Sequence, residues 1–194
     1  MTSGTDGRQG TDGTGADDPG RHDGSTGSTS RASTEGTREH SMAQRRLGDR
    51  YEVGELLGRG GMAEVHLGRD LRLGRSVAVK SLRVDLARDS SFQTRFRREA
   101  QSAASLNHPN IVAVYDTGEE HSDAHGGVAV PFIVMEHVQG TTLRELMSGG
   151  RRLLPERALE ITSSVLDALE YSHARGIVHR DIKPANVMLT DAGE

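Results

Sequence analysis

Two lysines mark the places in this chain where phosphate chemistry is expected. They are the only lysines among 24 basic residues, and all the others are arginines. Lys80 ends the apolar run 77–80 (VAVK), and Lys183 lies within the polar run 179–186 (HRDIKPAN). The compact ammonium of lysine can reach a single phosphate oxygen, whereas the guanidinium of arginine is a wide planar fork. Two residues alone do not exclude chance, so the interpretation depends on their neighbours.

The run 179–186 combines a carboxylate, an ammonium and an amide. Asp181 and Asn186 have the spacing of a general base, which takes a proton from a hydroxyl group, and of an amide that holds a divalent metal ion. Lys183 lies between them and is suited to neutralise charge on a transferred phosphoryl group. His-Arg-Asp is also a common loop tripeptide, and Pro184 is compatible with an ordinary turn. The complete run is far more specific than any of its parts.

A candidate partner for Lys80 lies on the helix that is predicted to follow it. Glu99 falls in the middle of an apolar helical stripe, whose other members are Phe92, Phe96, Ala103 and Leu106. A charge that faces a core requires a partner, because its desolvation is otherwise uncompensated. The sequence therefore predicts an ion pair between Lys80 and Glu99, which leaves the ammonium in place to hold nucleotide phosphates. In the alternative, Glu99 lies at the rim of the helix and extends into water.

The glycine-rich run 58–65 (GRGGMAEV) is a third candidate site, because glycines let a backbone approach phosphates closely. A plain hairpin explains the run equally well. It also fits the pattern G-x-G-x-x-[GA] of NAD-binding proteins, with Ala63 in last place and Asp85 at the distance of a ribose-binding acid. That pattern must open a helix, whereas residues 64–68 alternate like a strand. A P-loop is excluded because no Gly-Lys-Ser/Thr follows.

The strands and helices that must position these residues follow from the hydrophobic pattern. Strands are predicted at residues 51–57, 64–69, 76–82, 111–115, 130–135 and 187–189. Helices are predicted at residues 90–106, 143–147 and 155–173. The first helix has the spacing of a capping box at Ser90 and Gln93, and Pro155 suits the first turn of the third. Strands first and helices second predict an α+β protein of two lobes.

Residues 1 to about 46 differ in composition from the rest of the chain. They are rich in Gly, Ser, Thr and Asp and contain almost no large apolar side chain. Such a segment buries too little surface to offset the entropy of ordering it, so we predict a disordered tail without a catalytic role. A true translation start at Met42 is the alternative, and the sequence does not decide between the two.

The overall composition excludes several classes of protein. The absence of cysteine excludes disulfides, thiolate catalysis and cysteine-ligated zinc, and it fits a reducing compartment. A formal net charge of -4 argues against a general nucleic-acid binder. No stretch approaches the roughly 20 apolar residues of a membrane span. The N-terminus lacks the apolar segment of a secretory signal peptide.

Taken in order, these groups of residues resemble the motifs of a protein kinase domain. The matching groups are the glycine run, the VAVK lysine, Glu99 and the run 179–186. Residues 96–100 (FRREA) and 107–112 (NHPNIV) are similar to those of bacterial PknB-type serine/threonine kinases, particularly actinobacterial ones. The pair Lys183-Pro184 resembles the Ser/Thr class rather than the tyrosine class. The resemblance runs from about residue 48 to the end, with Ala63 in place of a third glycine.

The resemblance implies a two-lobed kinase fold. Residues 47–135 would form an N-lobe with an antiparallel sheet and helix C, 136–140 a hinge, and 141–194 part of a helical C-lobe. The chain stops at Glu194, before an Asp-Phe-Gly segment and an activation loop. It is therefore expected to be a fragment that lacks a second metal ligand and transfers no appreciable phosphoryl group by itself.

The resemblance also implies a role for each site residue. Lys80 would bind the α- and β-phosphates of ATP, and Glu99 would orient it. Asp181 would be the catalytic base, Lys183 a γ-phosphate contact and Asn186 a ligand of Mg²⁺ or Mn²⁺. The other nucleotide-binding residues would be Gly58, Arg59, Gly60, Gly61, Met62, Ala63, Val65, Ala78, Met135, Glu136 and Val138. Among these, Met135 resembles the gatekeeper, and residues 136–138 resemble the hinge that holds adenine through backbone groups. Arg180 would meet a phosphorylated activation loop.

The implied activity is ATP-dependent phosphorylation of Ser and Thr hydroxyls on protein substrates, in the cytoplasm. Members of this family can pair through their N-lobes, and membrane anchoring would require sequence outside these residues. The alternative is a non-catalytic module that binds a nucleotide or a partner. The intact residues at Lys80, Asp181 and Asn186 disfavour that alternative. An NAD-dependent dehydrogenase leaves the run 179–186 unexplained.

Overall fold

A six-stranded antiparallel sheet forms the first part of the structure, a computed structural model that describes residues 45–121, 127–148, 150 and 152–194. Its strands are β1 (Arg45–Leu47), β2 (Tyr51–Arg59), β3 (Ala63–Asp70), β4 (Arg75–Leu82), β5 (Val114–His121) and β6 (Ala129–Glu136). They lie in the order β1-β2-β3-β4-β6-β5, so β1 and β5 are the edges. Arg45 on β1 nevertheless contacts Glu120 on β5, which shows that the sheet curls until its edges approach each other.

Helices and a second, two-stranded sheet make up the rest of the described chain. They are α1 (Ser90–Ala104), β7 (Gly140–Thr142), α2 (Leu143–Ser148), α3 (Pro155–His173), a 3₁₀ turn (Pro184–Asn186) and β8 (Met188–Thr190). Strands β7 and β8 pair antiparallel. The predicted α+β architecture, with a sheet-rich lobe before a helical one, is confirmed. Within the described ranges, no helix has the length and apolar composition needed to cross a membrane.

Two apolar clusters hold the large sheet together. The first consists of Leu47, Tyr51, Val53, Val77, Val79, Phe132 and Val134. The second consists of Ala63, Leu82, Ala87, Phe96, Ala100, Val130 and Ile133. Neighbouring residues of β6, such as Ile133 and Val134, join different clusters because successive side chains of a strand point to opposite faces. Strand β4 contributes to both clusters, and Lys80 is the only charged residue in its apolar run.

Helix α1 begins at the predicted residue but through a different cap. The carboxylate of Asp89 accepts a hydrogen bond from the backbone N–H of Ser91 at 2.8 Å. Hydrogen bonding from the Ser91 side chain, and then from this N–H, lowers the pKa of Asp89. Ser90 is already helical, and the Gln93 side chain donates to the Ala87 carbonyl oxygen at 2.6 Å. The predicted capping box is therefore wrong, because Asp89 supplies the oxygen that caps the helix.

The remaining differences from the predicted elements concern the edges of the two sheets. The strand predicted at 111–115 is displaced, since β5 occupies 114–121. Alternate residues of this edge strand are exposed, so its sequence is too polar to resemble a buried strand. Strands β1 and β7 were not predicted, and β1 takes residues 45 and 46 from the proposed tail. The rest of that tail, residues 1–44, lies outside the described residues.

Asp70 at the end of β3 is a buried carboxylate whose charge depends on Arg50. Arg50 donates to its two oxygens at 3.1 and 2.8 Å, and the backbone N–H groups of Arg72 and Leu73 donate at 3.0 and 3.2 Å. The hydrogen bonds from Arg50 are the main reason that the pKa of Asp70 falls to about 2. A carboxyl group with a lowered pKa in the folded state stabilises that state fully above pH 3.8, its unperturbed value, and loses this contribution as the pH falls toward 2.

We expect Arg50→Met to raise the pKa of Asp70 and to move acid unfolding to a higher pH, because the buried carboxylate then loses its main partner. Urea unfolding at a series of acidic pH values measures the effect. Arg72→Met is the matched control, since the bond from Arg72 to Asp70 uses the backbone N–H. Identical pH dependence in Arg50→Met and the unmodified protein would contradict this account of Asp70.

Candidate active site

The glycine-rich run forms the hairpin between β2 and β3. Gly58 pairs with Val65 and Arg59 with Glu64, and the Gly60 N–H donates to the Ala63 carbonyl oxygen at 2.8 Å. Gly58 and Gly61 do not have a positive φ, and a Cβ built on either would meet no atom within 4 Å. Neither the turn nor the packing requires glycine at these two positions. Their bare backbone therefore fits the close approach of a ligand such as a phosphate chain.

Lys80 lies beside this hairpin and reaches helix α1. In the register of the sheet it stands between Val65 of β3 and Ile133 of β6. Its Nζ contacts Oε1 of Glu99, so the predicted ion pair is present. The Lys80 side chain is 23% exposed and that of Glu99 is 45% exposed. The ammonium is thus held by a carboxylate while one side of it stays accessible.

Glu99 does not lie in the centre of the apolar face of α1, as the predicted stripe required. The buried residues of the helix are Phe96 and Ala100, which are one turn apart. Glu99 lies next to this stripe, at the rim, where water also solvates its carboxylate. The rim position, which was the alternative, is the one the structure shows. Burial therefore does not force the ion pair, and the pair depends on Lys80 being within reach.

Residues 136–140, the predicted hinge, begin at the last residue of β6. The Glu136 N–H donates to the Ala113 carbonyl oxygen at 2.8 Å, and its carboxylate accepts from the Ala113 N–H at 3.2 Å. Upstream, Met135 is partly buried and pairs with Ala78 across β4 and β6. Across the described ranges, no backbone hydrogen bond involves Val138. The backbone of Val138 is thus available to a ligand, while Glu136 is anchored to the protein.

The second group of site residues gathers around Asp181. Lys183 Nζ donates to Oδ2 of Asp181 at 2.8 Å. Asn186 Nδ2 donates to the same oxygen at 3.0 Å and to the Asp181 carbonyl oxygen at 2.8 Å. The hydrogen bond from Lys183, followed by that from Asn186, lowers the pKa of Asp181 against the opposing effect of desolvation. The carboxylate is therefore ionised at neutral pH and can accept a hydrogen bond from a hydroxyl group.

The backbone around Asp181 is held in an unusual shape. Arg180 has a positive φ of 64°, which is uncommon for a residue with a side chain. The Asp181 N–H donates to Nδ1 of His179 at 3.3 Å, and the 3₁₀ turn closes with a bond from the Asn186 N–H to the Lys183 carbonyl oxygen at 2.9 Å. These local hydrogen bonds hold the loop in a shape in which Lys183 and Asn186 both reach the carboxylate of Asp181.

Strands β7 and β8 connect this loop to the hinge. Gly140 pairs with Thr190 and Thr142 with Met188. Just beyond the strands, the Leu143 N–H donates to the Val187 carbonyl oxygen at 2.8 Å. Because β8 begins two residues after Asn186, this small sheet fixes the position of the Asp181 loop relative to the hinge.

The donor set at Asn186 fits a hard divalent ion in part. Both side-chain hydrogen bonds of Asn186 use the amide nitrogen, which leaves the amide oxygen for a metal, and Mg²⁺ prefers oxygen ligands. In the part of the chain that the structure describes, no three His, Cys, Asp or Glu side chains form a metal site by themselves. An ion at Asn186 would therefore take further ligands from water and phosphate oxygens, which is usual for Mg²⁺.

Sequence reasoning missed Arg83, which lies directly after β4. Its Nη1 donates to the Gly61 carbonyl oxygen at 3.4 Å, and its Nε and Nη2 bind Asp85 at 3.1 and 2.7 Å. No motif marks this arginine, although its spacing of two residues from Asp85 is a weak signal of a local ion pair. Asp85, considered above as a ribose-binding acid, is paired with Arg83 instead.

Comparison with known proteins agrees with this arrangement. The model of the protein kinase domain family matches residues 51–194. A probable serine/threonine-protein kinase of Streptomyces coelicolor is 71% identical over 150 residues, which cover 77% of this chain and 22% of the relative. The serine/threonine-protein kinase PknB of Mycobacterium tuberculosis is 60% identical over 144 residues, covering 74% of this chain and 22% of the relative. The chain thus spans about a fifth of the length of these relatives.

A solved structure supports the same assignment. The kinase domain of PknI from Mycobacterium tuberculosis is 35% identical in sequence and superposes with a TM-score of 0.63, covering 78% of this chain and 59% of that domain. The family match covers the glycine hairpin, Lys80, Glu99 and the Asp181 loop in a single span. The chain therefore belongs to the protein kinase family, and the actinobacterial serine/threonine kinases named above are similar to it at 60–71% identity.

Proposed function

We propose that the protein containing this chain transfers the γ-phosphoryl group of ATP to Ser and Thr hydroxyls of other proteins. The observation that carries the proposal is the contact between Lys80 and Glu99. It holds an ammonium between the bare backbone of the glycine hairpin and helix α1. A positive charge oriented in this way suits the phosphates of a nucleotide, because it needs no rearrangement when the charge on them develops.

The nucleotide would lie along the hairpin and the hinge. Residues 58–63 and Val65 would cover the phosphates, and Lys80 would bind the α- and β-phosphates. Adenine would pack against Ala78 and Met135. Its amino group would donate a hydrogen bond to the carbonyl oxygen of Glu136, and its ring would pair with the backbone of Val138. The open space at Gly58 and Gly61 supports the first part of this placement.

The acceptor hydroxyl would meet the loop around Asp181. The ionised carboxylate of Asp181 would accept a hydrogen bond from the hydroxyl and orient its oxygen toward the γ-phosphate. Lys183 would balance negative charge on the transferred group, and the amide oxygen of Asn186 would hold Mg²⁺ or Mn²⁺. The metal ion, when bound, neutralises charge on the phosphates. Positioning and charge stabilisation would supply most of the rate enhancement.

We expect Lys80→Met in the full-length protein to lower the rate of phosphoryl transfer by about 100- to 1,000-fold, since the phosphates lose their charged partner. The assay is transfer of ³²P from labelled ATP to a protein substrate. Arg88→Met is the matched control, because this exposed arginine lies on the connection between β4 and α1. Activity close to that of the unmodified protein would exclude the assigned role of Lys80.

Further parts of the proposal rest on the resemblance to PknB-type kinases. They are a cytoplasmic location of the kinase domain, pairing of N-lobes and membrane anchoring through sequence outside these residues. We also propose that residues 1–194 alone transfer no appreciable phosphoryl group. Asn186 is the one metal ligand assigned among them. The same labelled-ATP assay on the isolated chain tests that part.

A further inference from the structure

One arginine fastens the tip of the glycine hairpin to the connection between β4 and α1. Arg83 donates its backbone N–H to the Met62 carbonyl oxygen at 3.0 Å and its Nη1 to the Gly61 carbonyl oxygen at 3.4 Å. Asp85 holds the other edge of the same guanidinium, through Nε at 3.1 Å and Nη2 at 2.7 Å. Because a guanidinium is planar, fixing Nε and Nη2 also fixes the direction in which Nη1 donates.

An apolar contact joins the same two segments. Met62, at the tip, is partly buried and packs against the cluster that contains Ala87 and Phe96. Ala87 is fully buried and lies four residues after Arg83, on the same connection. The glycines at the tip have no side chains with which to hold their own conformation. Arg83 and Met62 therefore provide the contacts that define where the tip lies.

The two carbonyl groups that Arg83 binds bear directly on phosphate binding. A carbonyl oxygen carries partial negative charge and would repel a phosphate if it turned toward one. Hydrogen bonds from Arg83 keep the oxygens of Gly61 and Met62 directed at the protein. The N–H groups of the hairpin are the partners that favour negative charge. By holding the two carbonyl groups in this direction, Arg83 stabilises the hairpin conformation that does not repel the phosphates of ATP.

We propose that Arg83, oriented by Asp85, is a positioning residue for the phosphates of ATP, and that it acts through the glycine hairpin without touching the nucleotide. This inference rests on the proposed function, because the hairpin covers phosphates only if ATP binds there. The Arg83 and Asp85 side chains are 35% and 57% exposed, so substituting them leaves both apolar clusters intact. Their effects on ATP binding can therefore be measured in folded protein.

A different role for Arg83 makes the opposite prediction. If its positive charge attracted the phosphates directly, Asp85 would oppose that attraction, and Asp85→Asn would strengthen ATP binding. If Asp85 orients Arg83, the same substitution releases the guanidinium and weakens ATP binding. The direction in which Asp85→Asn changes the affinity for ATP therefore shows whether Arg83 positions the hairpin or attracts the phosphates by its charge.

The experiment is isothermal titration calorimetry on the full-length protein with MgATP and, separately, with adenosine. We expect Arg83→Met and Asp85→Asn each to weaken MgATP binding by about tenfold and to change adenosine binding by less than about twofold. Arg83→Lys should recover part of the loss, because one ammonium can reach Gly61 or Asp85 but cannot bridge them as the fork does. Steady-state kinetics should show a higher KM for ATP with little change in kcat. Arg88→Met should match the unmodified protein.

Several results would overturn the inference. Unchanged ATP affinity in Arg83→Met would show that the hairpin does not depend on Arg83 for its position. Tighter ATP binding in Asp85→Asn would show that the charge of Arg83 attracts the phosphates directly. Equal losses for ATP and adenosine, with a lower melting temperature, would reduce Arg83 to a structural residue. If the unmodified protein binds adenosine and ATP with no preference for the triphosphate, the proposed function fails first, and the inference fails with it.

Discussion

Asp181→Asn is expected to lower the rate of phosphoryl transfer by about 10²–10⁴-fold while leaving the fold unchanged. The amide has nearly the same shape as the carboxylate but carries no charge and cannot take a proton from a hydroxyl group. It also loses the ion pair with Lys183, which now measures 2.8 Å. Because the carboxylate is mostly exposed, its replacement disturbs no buried cluster, and the loss should appear in kcat.

The measurement is steady-state kinetics with a protein substrate, together with a melting temperature for each variant. Asp167→Asn is a suitable control, since this exposed carboxylate lies on α3. An Asp181→Asn variant with unchanged kcat would remove Asp181 from the catalytic machinery. A loss seen only in KM for ATP would instead place the carboxylate at the nucleotide, not at the hydroxyl group.

Gly140→Ala is expected to break the pairing of β7 with β8. A Cβ at this position would lie 1.9 Å from the carbonyl oxygen of Leu189 and 2.8 Å from its carbonyl carbon. Backbone atoms cannot yield as the end of a flexible side chain can, so the strands must separate, at a cost of about 3 kcal/mol or more. Activity should fall as well, because β8 directly follows the loop that carries Asp181.

Thermal unfolding measures the loss of stability, and hydrogen exchange at the β8 amides locates it. Gly176→Ala is the control: Gly176 has a positive φ of 74° with no atom near an added Cβ, so only the backbone conformation is penalised. That penalty is about 1–2 kcal/mol. If Gly140→Ala were no more destabilising than Gly176→Ala, the close approach of the hinge to Leu189 would not constrain the fold.

The sequence predicted best the elements whose signal is local. Strand β4 is an apolar run in the middle of a sheet, and α3 opens with Pro155 at its first turn. The structure places elements at both of these predicted positions. The pairing of Lys80 with Glu99 was also predictable, because Glu99 is the one carboxylate of α1 and Lys80 the one charged residue in the apolar run of β4.

The features that escaped prediction depend on contacts between distant residues. Strands β1 and β7 have three residues each and exist through pairing with β2 and β8. The rim position of Glu99 depends on how α1 lies on the sheet, which spacing alone cannot give. The contact between Arg83 and Gly61 spans 22 positions and joins a side chain to a carbonyl oxygen, so no residue pattern encodes it.

The curl of the large sheet has a consequence for the way the chain folds during synthesis. Arg45 and Glu120 are 75 positions apart, so the edges cannot meet until β5 has left the ribosome. Strand β4 stays unpaired on one side for longer, because its neighbour β6 is complete only when Glu136 has been synthesised. Until then one edge of an apolar strand is unpaired, and such edges favour aggregation. We therefore expect the sheet to close late and all at once, with β6 as the strand that completes it.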